Sequence, residues 1–140
     1  MIEFLTEDVV LPSFLSDLTK RWIDEVICSF NKEKGDINYL FCSDEQILKV
    51  NQKYLDHDYY TDIITFDYCN GMVISGDLII SLDTVKSNSD KFNTPYNDEL
   101  HRVMIHGILH LIGFKDATED EKVIMRQEED KALSLLSTFH

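Results

Sequence analysis

Residues 61–81 read TDIITFDYCNGMVISGDLIIS, and the fold turns on this stretch. Thr61–Tyr68 and Met72–Ser81 are both rich in β-branched and aromatic residues, which fit a pleated, half-buried surface. Asn70-Gly71 between them is a strong hairpin signal, because such a turn needs positive φ and these residue types tolerate it. An antiparallel pair is predicted, with a tight turn here or a longer loop around it.

Working upstream, Asp56–Asp58 is a polar turn, and Ser43 with Gln46 three residues on makes a capping box. That box opens a helix carrying Ile47, Leu48, Val50 and Tyr54. Ile37–Cys42 is an apolar run of strand length, set off by the polar stretch Lys32–Asp36. Leu11, Leu15, Leu18, Trp22, Val26 and Phe30 recur at steps of three to four, predicting an amphipathic helix over Pro12–Phe30. Met1–Leu5 reads as an opening strand.

Downstream, Ser81 caps a helix running to about Asn88. Thr94-Pro95 introduces a long helix bearing Leu100, Val103, Met104, Ile108, Leu109 and Leu111, which stops at Gly113, a residue type able to take the left-handed helix end. Thr118 and Glu121 make a further capping box ahead of a last helix with Val123, Ile124, Ala132, Leu133, Leu135 and Leu136. The order β-α-β-α-β-β-α-α-α predicts an α+β fold, a small mixed sheet of about four strands packed with about five helices in one domain spanning residues 1–140.

Composition agrees with a single core. The chain has 140 residues, 44% hydrophobic and 28% charged, with five Gly and two Pro, so fibrous and disordered classes are excluded. The longest apolar runs fall far short of the ~20 residues of a membrane span, and the acidic start MIEFLTEDVV is unlike a signal peptide, so a cytoplasmic protein with no membrane partner is expected. Cys28, Cys42 and Cys69 are isolated in apolar segments and read as reduced thiols rather than a disulfide framework or metal knuckle. A net charge of −13 argues against generic attraction to nucleic acid, since phosphate neutralisation is the main source of that affinity. Any nucleic-acid role needs a local basic patch, a bound cation or a partner.

The string His106-Gly-Ile-Leu-His110-Leu-Ile-Gly113-Phe-Lys-Asp116 carries the chemistry. Two imidazoles four apart project from one helix face, so both can aim a ring nitrogen at a single cation. Gly113 then lets the chain reverse and return Asp116 toward the pair as a third ligand. Two His and one carboxylate leave a coordination position open, as in catalytic zinc sites that acidify a bound water, so a zinc-hydrolase-like domain is expected. Against this stands an ordinary HxxxH with a solvated Asp after the helix end. HGILH lacks the Glu that HExxH proteases use as general base, which disfavours zincin proteolysis.

The segment closely resembles the YbeY family of metal-dependent endoribonucleases, whose hallmark HGxLHLxGYDH is largely reproduced by HGILHLIGFKD. Thr61–Phe66, TDIITF, resembles the family's TDVLSF strand; Gly76–Ser81, GDLIIS, resembles its GDIxIS strand; and Glu99-Leu100 sits at the family's distance before His106. The likeness runs from Asn51 to Asp116 in order and spacing. It implies a single-strand-specific endoribonuclease acting in 16S rRNA 3′-end maturation and ribosome quality control. The implied metal ligands are His106, His110 and Asp116 holding one Zn2+ or another divalent ion. The implied partners are ribosomal RNA or the small ribosomal subunit, with a ribosomal protein or ribosome-associated GTPase.

Two departures matter. Asp116 stands where the family has a third His; a carboxylate is an acceptable zinc ligand, but it makes the bound water a weaker acid and widens metal choice toward manganese or iron. Leu55 stands where the family has an Arg, and it cannot contact phosphate. Arg102, one turn before His106, is the preferred catalytic substitute, with Lys53 and His57 as alternatives. Asp62 and Asp77 are strand positions the family keeps acidic; each is a candidate to orient a water or a ligand His, with a plain strand end as the alternative. Two other functions remain open: a non-catalytic ribosome assembly factor with a structural metal, and a metal-dependent hydrolase of another substrate.

Overall fold

The computed structural model describes residues 1–55 and 61–139. Nine elements follow in the predicted order: β1 Ile2–Thr6, α1 Asp17–Ser29, β2 Glu33–Cys42, α2 Asp44–Leu55, β3 Ile63–Asp67, β4 Val73–Ser81, α3 Leu82–Lys91, α4 Tyr96–Ile112 and α5 Glu119–Leu136. The fold is α+β, as expected, with four strands ordered β1-β2-β4-β3. Both β1–β2 and β2–β4 are parallel, while β3–β4 is antiparallel.

The hairpin keeps one register from Ile63↔Ile80 to Asp67↔Gly76 and on to the bridge Asn70↔Val73. Its two central residues are therefore Gly71 and Met72, with Gly71 at φ 61°, a left-handed value that costs glycine nothing. The tight turn forms, one residue later than Asn70-Gly71 suggested.

Two boundaries also moved. Helix α1 starts at Asp17 rather than Pro12, because the segment before it turns through a Leu15 N–H to Pro12 C=O bond of 3.1 Å and then starts the helix at Ser16, whose N–H donates to Thr19 Oγ1 at 3.1 Å. Leu15 is buried and Leu11 packs on the core from this non-helical lead-in, so apolar spacing mimicked an extra helical turn. Strand β2 starts at Glu33, earlier than Ile37, because pairing with β4 resumes across an irregularity between Lys34 and Ile37.

Alternation along β4 divides the interior. Ile74, Leu78 and Ile80 belong to the main core with Trp22, Ile23, Ile27, Tyr39, Phe41, Leu100, Met104 and Ile108, whereas Ile79 joins Cys42, Ile47 and Ile64 beneath α2. Helix α4 docks on β4 through two reciprocal fits. Gly107 of α4 receives Leu78, and Gly76 of β4 receives Leu111; a Cβ at Gly107 would lie 2.2 Å from the Leu78 side chain, so only glycine permits this approach. Tyr39 Oη donates to Met104 C=O at 2.9 Å, and Trp22 Nε1 donates to Ala132 C=O at 2.8 Å, which fixes α4 to the sheet and α5 to α1. These contacts hold His106, Gly107's neighbour, beside the entry of β3.

Candidate metal centre

Helix α4 is long enough to carry His106 and His110 on its last two turns, and it ends where Gly113 takes φ 128°. The Gly113 and Phe114 N–H groups both donate to Leu109 C=O, at 3.1 and 3.0 Å, closing the helix and reversing the chain. Two consequences follow. Phe114 C=O faces back to His110 Nδ1 at 3.0 Å, and Asp116 Oδ2 arrives 3.3 Å from His106 Nε2 and 3.4 Å from His110 Nε2. The two Nε2 atoms stand 2.9 Å apart.

Helix α5 supplies the other support. Glu129 Oε2 lies 2.7 Å from His106 Nδ1, and Glu129 Oε1 accepts from Arg102 at 2.8 Å. A second Arg102 nitrogen donates to Asp130 at 2.7 Å. The Glu129 side chain is only 7% exposed, and its charge survives burial because the Arg102 guanidinium and the His106 Nδ1–H both meet it. Burial pushes its pKa up, but the hydrogen bonds from His106 and Arg102 outweigh that and hold it below the usual carboxylate range. For His106 burial pulls downward, and the Glu129 carboxylate more than reverses it.

These contacts fix both tautomers. A carbonyl only accepts, so His110 Nδ1 carries the proton it gives to Phe114; the Glu129 carboxylate likewise takes the His106 Nδ1 proton. In the neutral rings each Nε2 therefore presents a lone pair, and the Asp116 carboxylate adds a third acceptor. With both rings neutral, three acceptors converge on one point, an arrangement that a metal ion or a proton between them relieves. Their separations of 2.9, 3.3 and 3.4 Å are also close to the ~3.3 Å edge of a tetrahedron with zinc–ligand bonds of about 2.0–2.1 Å. Among the described residues, His106, His110 and Asp116 are the group of ligand-type side chains gathered closely enough to hold a metal ion.

The trio lies in a cleft of about 370 Å³ whose other walls are Asn51 and Leu55 of α2 and the segment Thr61–Thr65 entering β3. Asp62 is in this cleft. Burial raises its carboxyl pKa, against the pull of His106 and of hydrogen bonds from its own and the Ile63 backbone and from Thr61. Asp77 is elsewhere: it accepts from the Asn38 side chain at 3.2 Å, one residue out of phase with Gly76 and Leu78 and so on the sheet face away from α4.

Arg102, expected to meet a phosphate, has its guanidinium engaged by Glu129 and Asp130 and does not line the cleft. Lys53 lies with its ammonium 5.2 Å over the Tyr54 ring. His57 falls outside the described residues. Leu55 lines the cleft where the family's Arg would stand, and among the described residues no Lys or Arg does so. Glu129 was not foreseen. Its signal was available: it follows Met125 by four residues and precedes Ala132 by three, a charged residue on an otherwise buried apolar stripe.

Comparison with known proteins agrees with this geometry. Residues 1–137 match the family model described as Endoribonuclease YbeY. A Phocaeicola vulgatus protein of that name is 57% identical over 137 residues, covering 98% of this chain and 99% of that protein. One from Bacteroides fragilis is 55% identical over 134 residues, covering 96% of each, and one from Parabacteroides distasonis is 54% identical over 135 residues, covering 96% of this chain and 95% of that one. The solution structure of a Thermotoga maritima protein superposes with a TM-score of 0.72 at 28% identity, covering 97% of this chain and 89% of that one. With the acceptor trio, the docking glycines and the helix-ending Gly113 all built from matched segments, this chain belongs to the endoribonuclease YbeY family.

Proposed function

We propose that this chain is a metal-dependent endoribonuclease that cuts single-stranded RNA, with Zn2+ as the ion, in 16S rRNA 3′-end maturation and ribosome quality control. The observation that carries the reading is the convergence of His106 Nε2, His110 Nε2 and Asp116 Oδ2 with both imidazole tautomers fixed from behind. A divalent cation held by these three supplies Lewis acidity toward a phosphodiester oxygen and lowers the pKa of a water it binds.

The chain's own residues do the rest. Glu129 and the Phe114 carbonyl aim the two lone pairs, and Arg102 is a positioning residue that acts through Glu129 by keeping that carboxylate charged and fixed. Asp62, the other carboxylate of the cleft, is placed to accept the proton of an attacking water. An exposed single strand suits this cleft better than a duplex, because only unpaired nucleotides can be splayed toward the three ligand-type side chains. Among the described residues no helix is long and apolar enough to cross a membrane, in keeping with a cytoplasmic role beside the small ribosomal subunit and a ribosomal protein or GTPase.

Metal content and cleavage of a single-stranded ribosomal RNA fragment, compared for the wild type and His110→Ala, test the proposal. Stoichiometric zinc with cleavage is expected for the first and neither for the second; equal cleavage by both would end the reading.

A second reading has a specific observation behind it. A cleft with no Lys or Arg among its described lining, in a chain of net charge −13, offers little to offset charge on a pentacoordinate phosphorus. A ribosome assembly factor with a structural metal would need no such groups. Rescue of a ribosome-maturation defect by a folded, metal-free His106→Ala protein would favour it over cleavage.

A further inference from the structure

We propose that Tyr54, with Lys53 and Leu55 beside it, is a nucleobase platform at the rim of the cleft, stacking one unpaired base of the RNA next to the phosphodiester engaged at His106, His110 and Asp116. The proposal rests on the endoribonuclease reading and adds a binding subsite to it.

Four observations point to this rim. Tyr54 is 60% exposed, a large aromatic left in water at the end of a helix whose Asn51 and Leu55 both line the cleft. Its ring is braced edge-on by Phe66, with centroids 5.9 Å apart and planes at 81°, and Phe66 packs against the small core under α2. A braced ring has already given up much of its rotamer freedom, so stacking costs less entropy. The Lys53 ammonium sits 5.2 Å over one face of the same ring, so a base would take the other face with a cation close by for its phosphate. Leu55, 40% exposed and apolar, then continues the surface inward toward the metal ligands.

Chemistry selects the occupant. A duplex buries its base faces, and a free phosphate has no use for an exposed ring and a leucine; a single strand offers a flat π-face joined to an anion, which an aromatic and a lysine side by side are suited to hold. The substitution that leaves the wall without a guanidinium at residue 55 thus makes it apolar enough to accept a base. This also eases the conflict between the acidic exterior and an RNA substrate, because stacking attracts RNA without depending on net charge.

Zinc-loaded full-length protein titrated with a fluorescein-labelled single-stranded RNA oligonucleotide, with anisotropy for binding and gel analysis for cleavage, tests the platform. Tyr54→Ala is expected to weaken binding about 5- to 100-fold, the range for loss of one stacked base, while Tyr54→Phe stays within about 2-fold of wild type. Lys53→Gln should weaken binding and flatten its dependence on salt. A series of oligonucleotides, each with one abasic position, should contain one that binds wild type as poorly as the intact RNA binds Tyr54→Ala, and that position should cost the variant nothing further. The wild-type half of this arm needs no altered protein, so a series with no sensitive position overturns the platform even where a variant misfolds. Wild type that cleaves while Tyr54→Ala binds and cleaves equally well, or an abasic series without a sensitive position, overturns the platform and leaves the nuclease standing. Wild type that neither binds nor cleaves RNA overturns both.

Discussion

Two hollows flank α4, and the larger is not the one equipped for chemistry. The larger, about 870 Å³, lies between the first turns of α4 and the second half of α5, and its charged walls include Asp98, Glu99, Arg102 and Arg126. There opposite charges answer one another, as where Arg102 meets Asp130 at 2.7 Å. The smaller, about 370 Å³, turns two imidazole Nε2 atoms and a carboxylate oxygen toward one point. Volume measures room, whereas converging ligand-type atoms show what the hollow can hold. Arg102 joins the two hollows, since the guanidinium lining the larger one anchors the Glu129 that aims His106 in the smaller.

Breaking the ligand set itself should have the greatest effect. His106→Ala or Asp116→Ala is expected to lower zinc affinity by more than about 100-fold, beyond what outer partners usually contribute, in a competition titration against a chromophoric chelator. An affinity left within tenfold of wild type would mean that the three acceptors do not act as one site.

Glu129→Gln tests whether support from behind matters as well. The amide can turn its oxygen to His106 but brings no charge, so a loss of about 10- to 100-fold in zinc affinity is expected with the fold retained. Arg102→Gln should cost less at the metal and more in stability, about 1–3 kcal/mol in urea denaturation, because a 7%-exposed carboxylate loses its strongest donor. Unchanged stability would show that Glu129 needs only His106, and the two hollows would then be independent.

The smallest effect belongs to the larger hollow alone. His101 stands edge-on to Phe14 and Trp22, at 5.3 and 5.6 Å, and burial lowers its pKa below the ordinary 6.5 despite Asp98. The unfolded chain therefore takes up this proton at higher pH than the folded one. Stability from this residue is intact above about pH 7 and declines as pH falls through the unfolded His range, levelling off once the folded form is also protonated. His101→Phe should lose less stability than wild type between pH 7 and pH 5 in paired denaturation curves, with zinc affinity unchanged. Parallel losses in the two proteins would assign the acid sensitivity to other groups.

The imidazole pair is legible in the sequence because its spacing is a property of one helix. His106 and His110 share a face whatever α4 packs on, and Gly113 ends that helix by its own backbone freedom. Family motifs carried Asp116 along with them. The lead-in to α1 was misread for the same local reason: Leu11 and Leu15 keep helical spacing, but they reach the core from a turn. Arg102 lies one turn before His106, but its helix face alone does not say that Glu129 and Asp130 stand opposite.

The amino-acid order by itself determined the succession of elements, the hairpin, the Gly113 end of α4 and the paired imidazoles, all of which depend on propensities and spacings acting within a few residues. Only the tertiary structure decided the β1-β2-β4-β3 order, the bond from His106 to a Glu 23 residues away, and the capture of Arg102 by α5. Those choices depend on which apolar faces bury one another, and on the two glycines that let α4 settle against β4. Until the helices are packed, no local rule says which buried carboxylate will stand behind which ring.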